Sequence, residues 1–304
     1  MIIVTYILKS ILKEKKMENK KIAVLLTCFN RKDKTLACLH SFYHANMPQG
    51  YEFDIYLVDD GSTDGTSEAV KEKYSDIKII LGKGNLFWAG GMRLAWRTAL
   101  GKGNYYAFLL LNDDVVLFDD FLDNLVKTEE YSLLKHQKAG IYSGATIDSR
   151  SNKTTYGGYR IKTNHLIVRN ELLTPTDLPQ KCELTNANIL WVSKESVDAI
   201  CIFDERYTHG IADFDYSLRA VRKGIPVYLA PHFGGICLHD HGKPWKSSSV
   251  PLKERIAYLK SPKGIAYNEY LYYIKKHFPL FLPYSFLTLW LKAFFPFLWE
   301  KYKK

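Results

Sequence analysis

The chain is punctuated by short apolar runs that stop at polar or acidic residues. Ile22-Ala23-Val24-Leu25-Leu26-Thr27 runs into Cys28-Phe29-Asn30-Arg31. Phe53-Asp54-Ile55-Tyr56-Leu57-Val58 runs into Asp59-Asp60-Gly61-Ser62-Thr63-Asp64, and Leu109-Leu110-Leu111 into Asn112-Asp113-Asp114. Runs of this length predict buried strands of a mainly parallel sheet. Helical spacing follows each: Leu36, Leu39 and Phe42 fall on one face, a second helix covers 67–73 behind a Gly/Ser/Thr turn, and a third covers 118–126 with Asp119 or Asp120 as its cap. Three strand-to-helix units deliver polar groups to one edge of one sheet, where open α/β sheets bind ligands.

The residues at those strand ends carry the chemistry. Asp113 and Asp114 are adjacent carboxylates that repel each other unless a cation such as Mg²⁺ or Mn²⁺ neutralises them; otherwise they simply end a strand. Asp213 opens a helical pattern over 214–223, where an acid either takes a proton or caps the helix, and Asp215 lies two positions on. His239 and His241 project to the same side of an extended segment, as metal ligands, a diphosphate grip or ordinary surface histidines. The glycine-rich stretch 82–96 reads as a loop able to cradle a diphosphate, with Arg93 and Arg97 beginning the next helix; Trp88 and Met92 line it or belong to the core. No glycine fingerprint follows the first strand directly, which excludes a dinucleotide site there.

In order, Thr27 to Arg31, Val58 to Asp64, Gly84-Asn85-Leu86-Phe87-Trp88-Ala89-Gly90-Gly91-Met92, Asn112-Asp113-Asp114, Phe203-Asp204-Glu205-Arg206-Tyr207 and Ala212-Asp213-Phe214-Asp215 resemble the family 2 glycosyltransferases. The likeness spans 20–241 and is greatest to the bacterial rhamnosyltransferase-like enzymes of surface polysaccharide assembly. It implies the GT-A fold, a mainly parallel central sheet flanked by helices. It also implies that Thr27, Asn30, Arg31, Asp59 and Asp60 form the nucleotide pocket and that Asn85, Trp88, Gly91 and Met92 shape the sugar pocket. Asn112 stands where the family's Asp-X-Asp motif has its first acid, so the resemblance gives Asp114 the metal, with Asn112 or Asp113 beside the ribose or donor sugar. His239 or His241 would complete the coordination. The family's base is the aspartate of a Glu-Asp pair; here the glutamate is Ala212, leaving Asp213 as base and Asp215 as a second candidate or an orienting group.

Length and charge add an appendage. A chain of 304 residues exceeds the usual single core, and its net charge of +10 gathers at the two ends. The expected organisation is an N-terminal extension at 1–19, a catalytic domain at 20–245 divided at 115 into nucleotide-binding and acceptor halves, and a basic, aromatic-rich helical region at 246–304. Segment 144–184 is expected to form a hairpin excursion. The tail alternates lysines with Phe, Trp and Leu, which suits the surface of an anionic membrane, while Pro279, Pro283, Lys292 and Pro296 interrupt any span. Basic charge without a basic, aromatic-bearing module in the middle of the chain argues against nucleic acid. Residues 1–11 make a poor secretory signal, with Met17 an alternative start, and five cysteines with no CxxC pair favour a reducing compartment.

The expected protein is a metal-dependent inverting glycosyltransferase at the cytoplasmic face of the membrane. Its donor is a nucleotide-diphosphate sugar, with rhamnose the first guess, and its acceptor a glycan or lipid-linked glycan. The alternatives are a nucleotide- or glycan-binding protein that lost turnover, suggested by Asn112 and Ala212, and a sugar nucleotidyltransferase. The latter would want a Gly-rich basic loop where this chain has Thr27-Cys28-Phe29-Asn30.

Overall fold

The computed structural model describes residues 19–163, 168–238, 245 and 247–300. The expectations for His239, His241 and the extreme N-terminus lie outside the described residues.

The first half alternates strands and helices: β1 (Lys20–Cys28), α1 (Lys32–His44), β2 (Tyr51–Asp59), α2 (Thr66–Lys73), β3 (Lys78–Leu81), α3 (Phe87–Leu100) and β4 (Ala107–Leu111). The middle holds β5 (Val116–Leu117), α4 (Phe121–His136), β6 (Ile141–Ile147), β7 (Thr154–Tyr156), β8 (Gly158–Thr163), β9 (Val168–Leu172), β10 (Gln180–Lys181), β11 (Leu184–Thr185) and β12 (Ile189–Ser193). Then come α5 (Lys194–Ile200), α6 (Ala212–Arg222), β13 (Val227–Ile236), α7 (Leu252–Lys260), α8 (Tyr267–His277), a 3-10 turn (Pro279–Phe281), α9 (Leu282–Phe294) and α10 (Phe297–Glu300).

The main sheet runs β10-β13-β6-β12-β4-β1-β2-β3. β1 pairs in parallel with β2 and β4, β2 with β3, and β6 with β13, while β12 is antiparallel to both of its neighbours. A small antiparallel sheet, β11-β8-β9, forms the excursion expected from 144–184. The two-residue period explains why the strands read as unbroken apolar runs: both faces are covered. Ala23 and Leu25 of β1 and Phe108 and Leu110 of β4 enter one core with Trp96 of α3 and Tyr216 of α6. Ile22, Val24 and Leu26, with Ala107, Leu109 and Leu111, enter the other with Leu39 and Phe42 of α1.

Stretch 82–96 differs from the loop expected of it. Helix α3 starts at Phe87, so Trp88, Gly90, Gly91 and Met92 are helical and Arg93 and Arg97 lie well inside the helix. Gly91 explains the glycine there: an added Cβ would lie 2.1 Å from Thr27 Oγ1, so only glycine lets α3 sit against the end of β1. The C-terminal helices form their own small core of Trp245, Leu259, Leu289 and Ala293. Among the described residues no helix is long and apolar enough to cross a membrane.

Candidate active site

The ends of β1, β2 and β4 meet the start of α6 at a cavity of about 580 Å³. Thr27, Arg31, Asp60, Trp88, Asn112, Asp113, Asp114 and Asp213 all face it. Positions up to 186 residues apart in the chain thus share one space.

At the tip of β4, Asp113 is almost fully buried and Asp114 is more open, with side chains 5% and 16% exposed. Arg31 spans both: Nη1 lies 2.8 Å from Asp113 Oδ1 and Nη2 3.1 Å from Asp114 Oδ2. Burial pushes the Asp113 carboxyl up to about 6, against the pull of Arg31. Asn112 is held by Trp88, whose Nε1–H donates to its Oδ1 at 2.8 Å. Because an indole only donates, this bond fixes the amide flip and leaves the Asn112 NH₂ as a donor.

The Asp-Asp-Gly-Ser turn does more framing than the sequence suggested. Asp60 faces the cavity, yet its carboxylate accepts N–H groups of Gly84 and Leu86 at 2.8 Å and of Phe87 at 3.3 Å, which pins the start of α3. Asp59, 2% exposed, does not line the cavity. It accepts from Ser62 N at 2.8 Å and Ser67 Oγ at 2.5 Å. Asn30, with φ 51°, accepts from Thr63 N at 2.7 Å and lines a neighbouring polar recess instead. These bonds lock the first two strand-to-helix turns together.

Met92 and Asp215 are placed away from the cavity. Met92 is fully buried in the core beside Ala95 and Trp96, because it lies on the sheet-facing side of α3. Asp215, also fully buried, is taken up by ion pairs with Arg219 Nε at 2.9 Å and Lys276 Nζ at 2.7 Å and by a hydrogen bond with His277 Nε2 at 2.7 Å. Burial would raise its carboxyl, but bonds from His277 and Lys276 and the charge of Arg219 hold it far below the usual carboxylate range. It ties α6 to α8. Gly91 acts from behind, through its contact with Thr27, and Asn85 is exposed in the turn before α3.

Asp213 has the opposite environment. Its Oδ1 accepts from Phe214 N at 2.9 Å and its Oδ2 from Ala187 N at 3.3 Å and Asn186 Nδ2 at 3.5 Å. Burial dominates over these bonds and pushes its carboxyl up to about 6.

Several cavity residues went unforeseen. Tyr156, His209, Tyr258 and Lys263 enter the wall, the last two from α7 and the turn after it. Cys237 approaches Asp114, its Sγ 3.8 Å from Oδ1, and burial beside that acid pushes the thiol up to about 12. His209 could have been suspected from its place just before Gly210 and Asp213; Lys263 had no local signal.

No cluster of three or more metal-binding side chains occurs among the described residues. Among the described residues the more open carboxylate at the β4 tip is Asp114. This fits a hard divalent cation that takes its remaining oxygens from substrate phosphates and water, as Mg²⁺ characteristically does, rather than an ion caged by protein alone.

The fold is that of the GT-A class. The model of glycosyl transferase family 2 matches residues 23–190, and the chain belongs to that family. No curated protein matches it by sequence. Among solved structures it is similar to the mannosyltransferase PcManGT from Pyrobaculum calidifontis in complex with GDP-Man and Mn²⁺, at 16% identity and TM-score 0.50, over 81% of this chain and 67% of that one. It is also similar to residues 1–349 of S. aureus TarS, at 16% identity and TM-score 0.50, over 71% and 60%. A third is GalNAc-T7 with UDP, GalNAc and Mn²⁺, at 14% identity and TM-score 0.52, over 79% and 48%. The chain thus spans between about half and two thirds of these relatives, and at such identities the likeness concerns the fold.

Proposed function

We propose that the protein transfers a sugar from a nucleotide-diphosphate donor to a hydroxyl of a glycan or lipid-linked acceptor, with inversion at the anomeric carbon. The observation that carries this reading is that Asp213 shares one cavity with the Asp113-Asp114 tip of β4. Asp213 takes the acceptor proton; its raised basicity suits a base working near neutral pH. Asp114 holds a Mg²⁺ or Mn²⁺ ion, which supplies charge to the departing diphosphate. Two of the structural relatives were solved with Mn²⁺, one with GDP-Man and one with UDP and GalNAc, which supports a similar donor and metal here. His239 or His241 joins Asp114 in this reading. Asn112, oriented by Trp88, offers its NH₂ to the ribose or the donor sugar. Rhamnose is the first sugar to test, on resemblance alone.

The acceptor is met at the cytoplasmic face of a membrane. Leu280, Phe286, Leu287, Phe294, Phe295 and Phe297 are each between 46% and 91% exposed on the C-terminal helices. Exposed apolar side chains with Lys275, Lys276 and Lys292 nearby in sequence suit an anionic leaflet.

Purified protein heated with UDP-, GDP- and dTDP-sugars, with and without Mn²⁺, tests the reading. Stabilisation by one nucleotide class that needs the metal is the expected result. Stabilisation without turnover in the presence of membranes would favour a binding protein, and no stabilisation by any donor would remove the proposal.

A further inference from the structure

Arg31, which the family likeness assigns to the nucleotide pocket, is paired in this structure with two carboxylates. It stands at the start of α1, yet its side chain folds onto the tip of β4, where one guanidinium bridges two carboxylates at 2.8 and 3.1 Å. The two acids do not depend on it equally. Asp113 is nearly sealed and also accepts from Thr35 Oγ1 at 3.4 Å, whereas Asp114 is open to the cavity. Arg31 itself is about a third exposed, 36%, so packing leaves it room to move.

Without ligand, this cation does what a metal would do for the carboxylate pair, and it is tethered, so it competes at high effective concentration. A divalent ion approaching Asp114 meets a positive charge already there. When a diphosphate enters, the same guanidinium gains a partner of matching bidentate geometry. Asp114 is then released to the incoming ion, while Asp113 keeps Thr35.

We propose that Arg31 is a built-in counter-ion that passes from Asp114 to the donor's diphosphate, so that metal and nucleotide bind cooperatively and the empty site excludes divalent cations. This rests on Asp114 being the metal ligand, as argued above. Linkage requires the effect to be mutual: each ligand tightens the other by the same factor.

The test is Mn²⁺ binding to the full chain, read from the EPR signal of free Mn²⁺, without nucleotide and with UDP, GDP or dTDP. Wild type should bind Mn²⁺ weakly alone and about tenfold more tightly with its nucleotide, within the roughly 5- to 150-fold range usual for such coupling. Arg31→Met should bind Mn²⁺ alone about tenfold more tightly than wild type and lose most of the nucleotide effect. Arg31→Lys keeps the charge but cannot bridge two carboxylates, and should fall between them; it also serves if the methionine variant does not fold. Asp114→Asn should lose the binding. If Arg31→Met and Arg31→Lys bind Mn²⁺ alone no better than wild type while Asp114→Asn binds worse, the ligand assignment stands and the counter-ion proposal is overturned. If Asp114→Asn binds Mn²⁺ like wild type in the presence of nucleotide, both are overturned.

Discussion

Replacing Asp213 by asparagine should make the protein more stable at neutral pH and inactive. The structure gives both the sign and the size. The carboxyl rises from its ordinary 3.8 to about 6 because burial penalises the charged form. An acid with a raised folded value gives stability that is complete below the unfolded value and is lost as pH rises to the folded one. A difference of about two pH units corresponds to about 3 kcal/mol at 1.36 kcal/mol per unit, all of it lost above about pH 6. Asparagine does not titrate and escapes this loss. It has its own cost, because if its oxygen keeps the bond from Phe214 N, its NH₂ faces the N–H groups of Ala187 and Asn186. One or two unmade bonds cost about 1–2 kcal/mol at every pH. The net gain at pH 8 is then about 1 kcal/mol, and at pH 4 the variant is the weaker protein. Melting temperatures of both proteins from pH 4 to pH 8 check this: the difference, variant minus wild type, should climb by about 5–6 °C, at about 2 °C per kcal/mol for a chain of this size. A difference that stays flat across that range would refute the buried, costly carboxylate, whatever happens to activity. Transfer should vanish while nucleotide binding survives, and wild-type activity should rise with pH through about 6.

Three further outcomes follow from packing and charge. Asp215→Ala strips Arg219 and Lys276 of a fully buried counter-charge and should cost about 3–5 kcal/mol, a fall of about 6–10 °C in thermal unfolding; a change under 2 °C would show that the ion cluster contributes little. Gly91→Ala drives a methyl group to 2.1 Å from Thr27 Oγ1 and should cost about 1–3 kcal/mol, against about 1 kcal/mol that alanine gains in a helix. Because Thr27 lines the cavity, nucleotide affinity should drop as well, and calorimetry showing wild-type affinity would contradict the contact. Leu280→Glu with Leu287→Glu removes two of the most exposed leucines and should weaken cosedimentation with anionic vesicles at least about tenfold, since each buried leucine is worth about 1.5–3 kcal/mol; unchanged sedimentation would end the membrane reading.

The sheet was legible because its strands are buried on both faces and so appear as unbroken apolar runs: the expected strands at 22–27 and 109–111 differ from β1 and β4 only at the ends. Stretch 82–96 misled for a physical reason. Glycine lowers helix propensity, so Gly90 and Gly91 read as loop, yet the contact of Gly91 with Thr27 overrides propensity inside a packed helix. Trp88 and Met92 lie one helical turn apart on nearly the same face; Trp88, at the N-terminal end of α3 beside the strand ends, reaches the cavity, and Met92, a turn deeper, lies in the core. Lys263 and Tyr258 come to the cavity from beyond β13, and nothing local in a surface lysine or a helical tyrosine announces that.

Asp213 and Asp215 show why pattern alone does not separate a base from an anchor. Both stand in the first turn of α6, two residues apart, where the helix favours an acid equally at either place. Their partners divide them. Asp215 points to Arg219 below it and to Lys276 and His277 of α8, so its charge is permanently compensated and its proton affinity is spent. Asp213 points the other way and, among the described residues, accepts from N–H groups of Ala187, Phe214 and Asn186 and makes no ion pair. A carboxylate that is partly buried, hydrogen-bonded and without a paired cation among the described residues holds a proton near neutral pH, which is the property a base for an alcohol acceptor requires. The two roles also need each other. The ion cluster around Asp215 fixes α6 against α8, and α8 in turn holds the cavity loop through Glu269, which accepts from Thr208 N at 3.0 Å. The C-terminal helices therefore set the position of Asp213, the proposed base, and loosening them at Asp215 should slow transfer even where the nucleotide pocket is untouched.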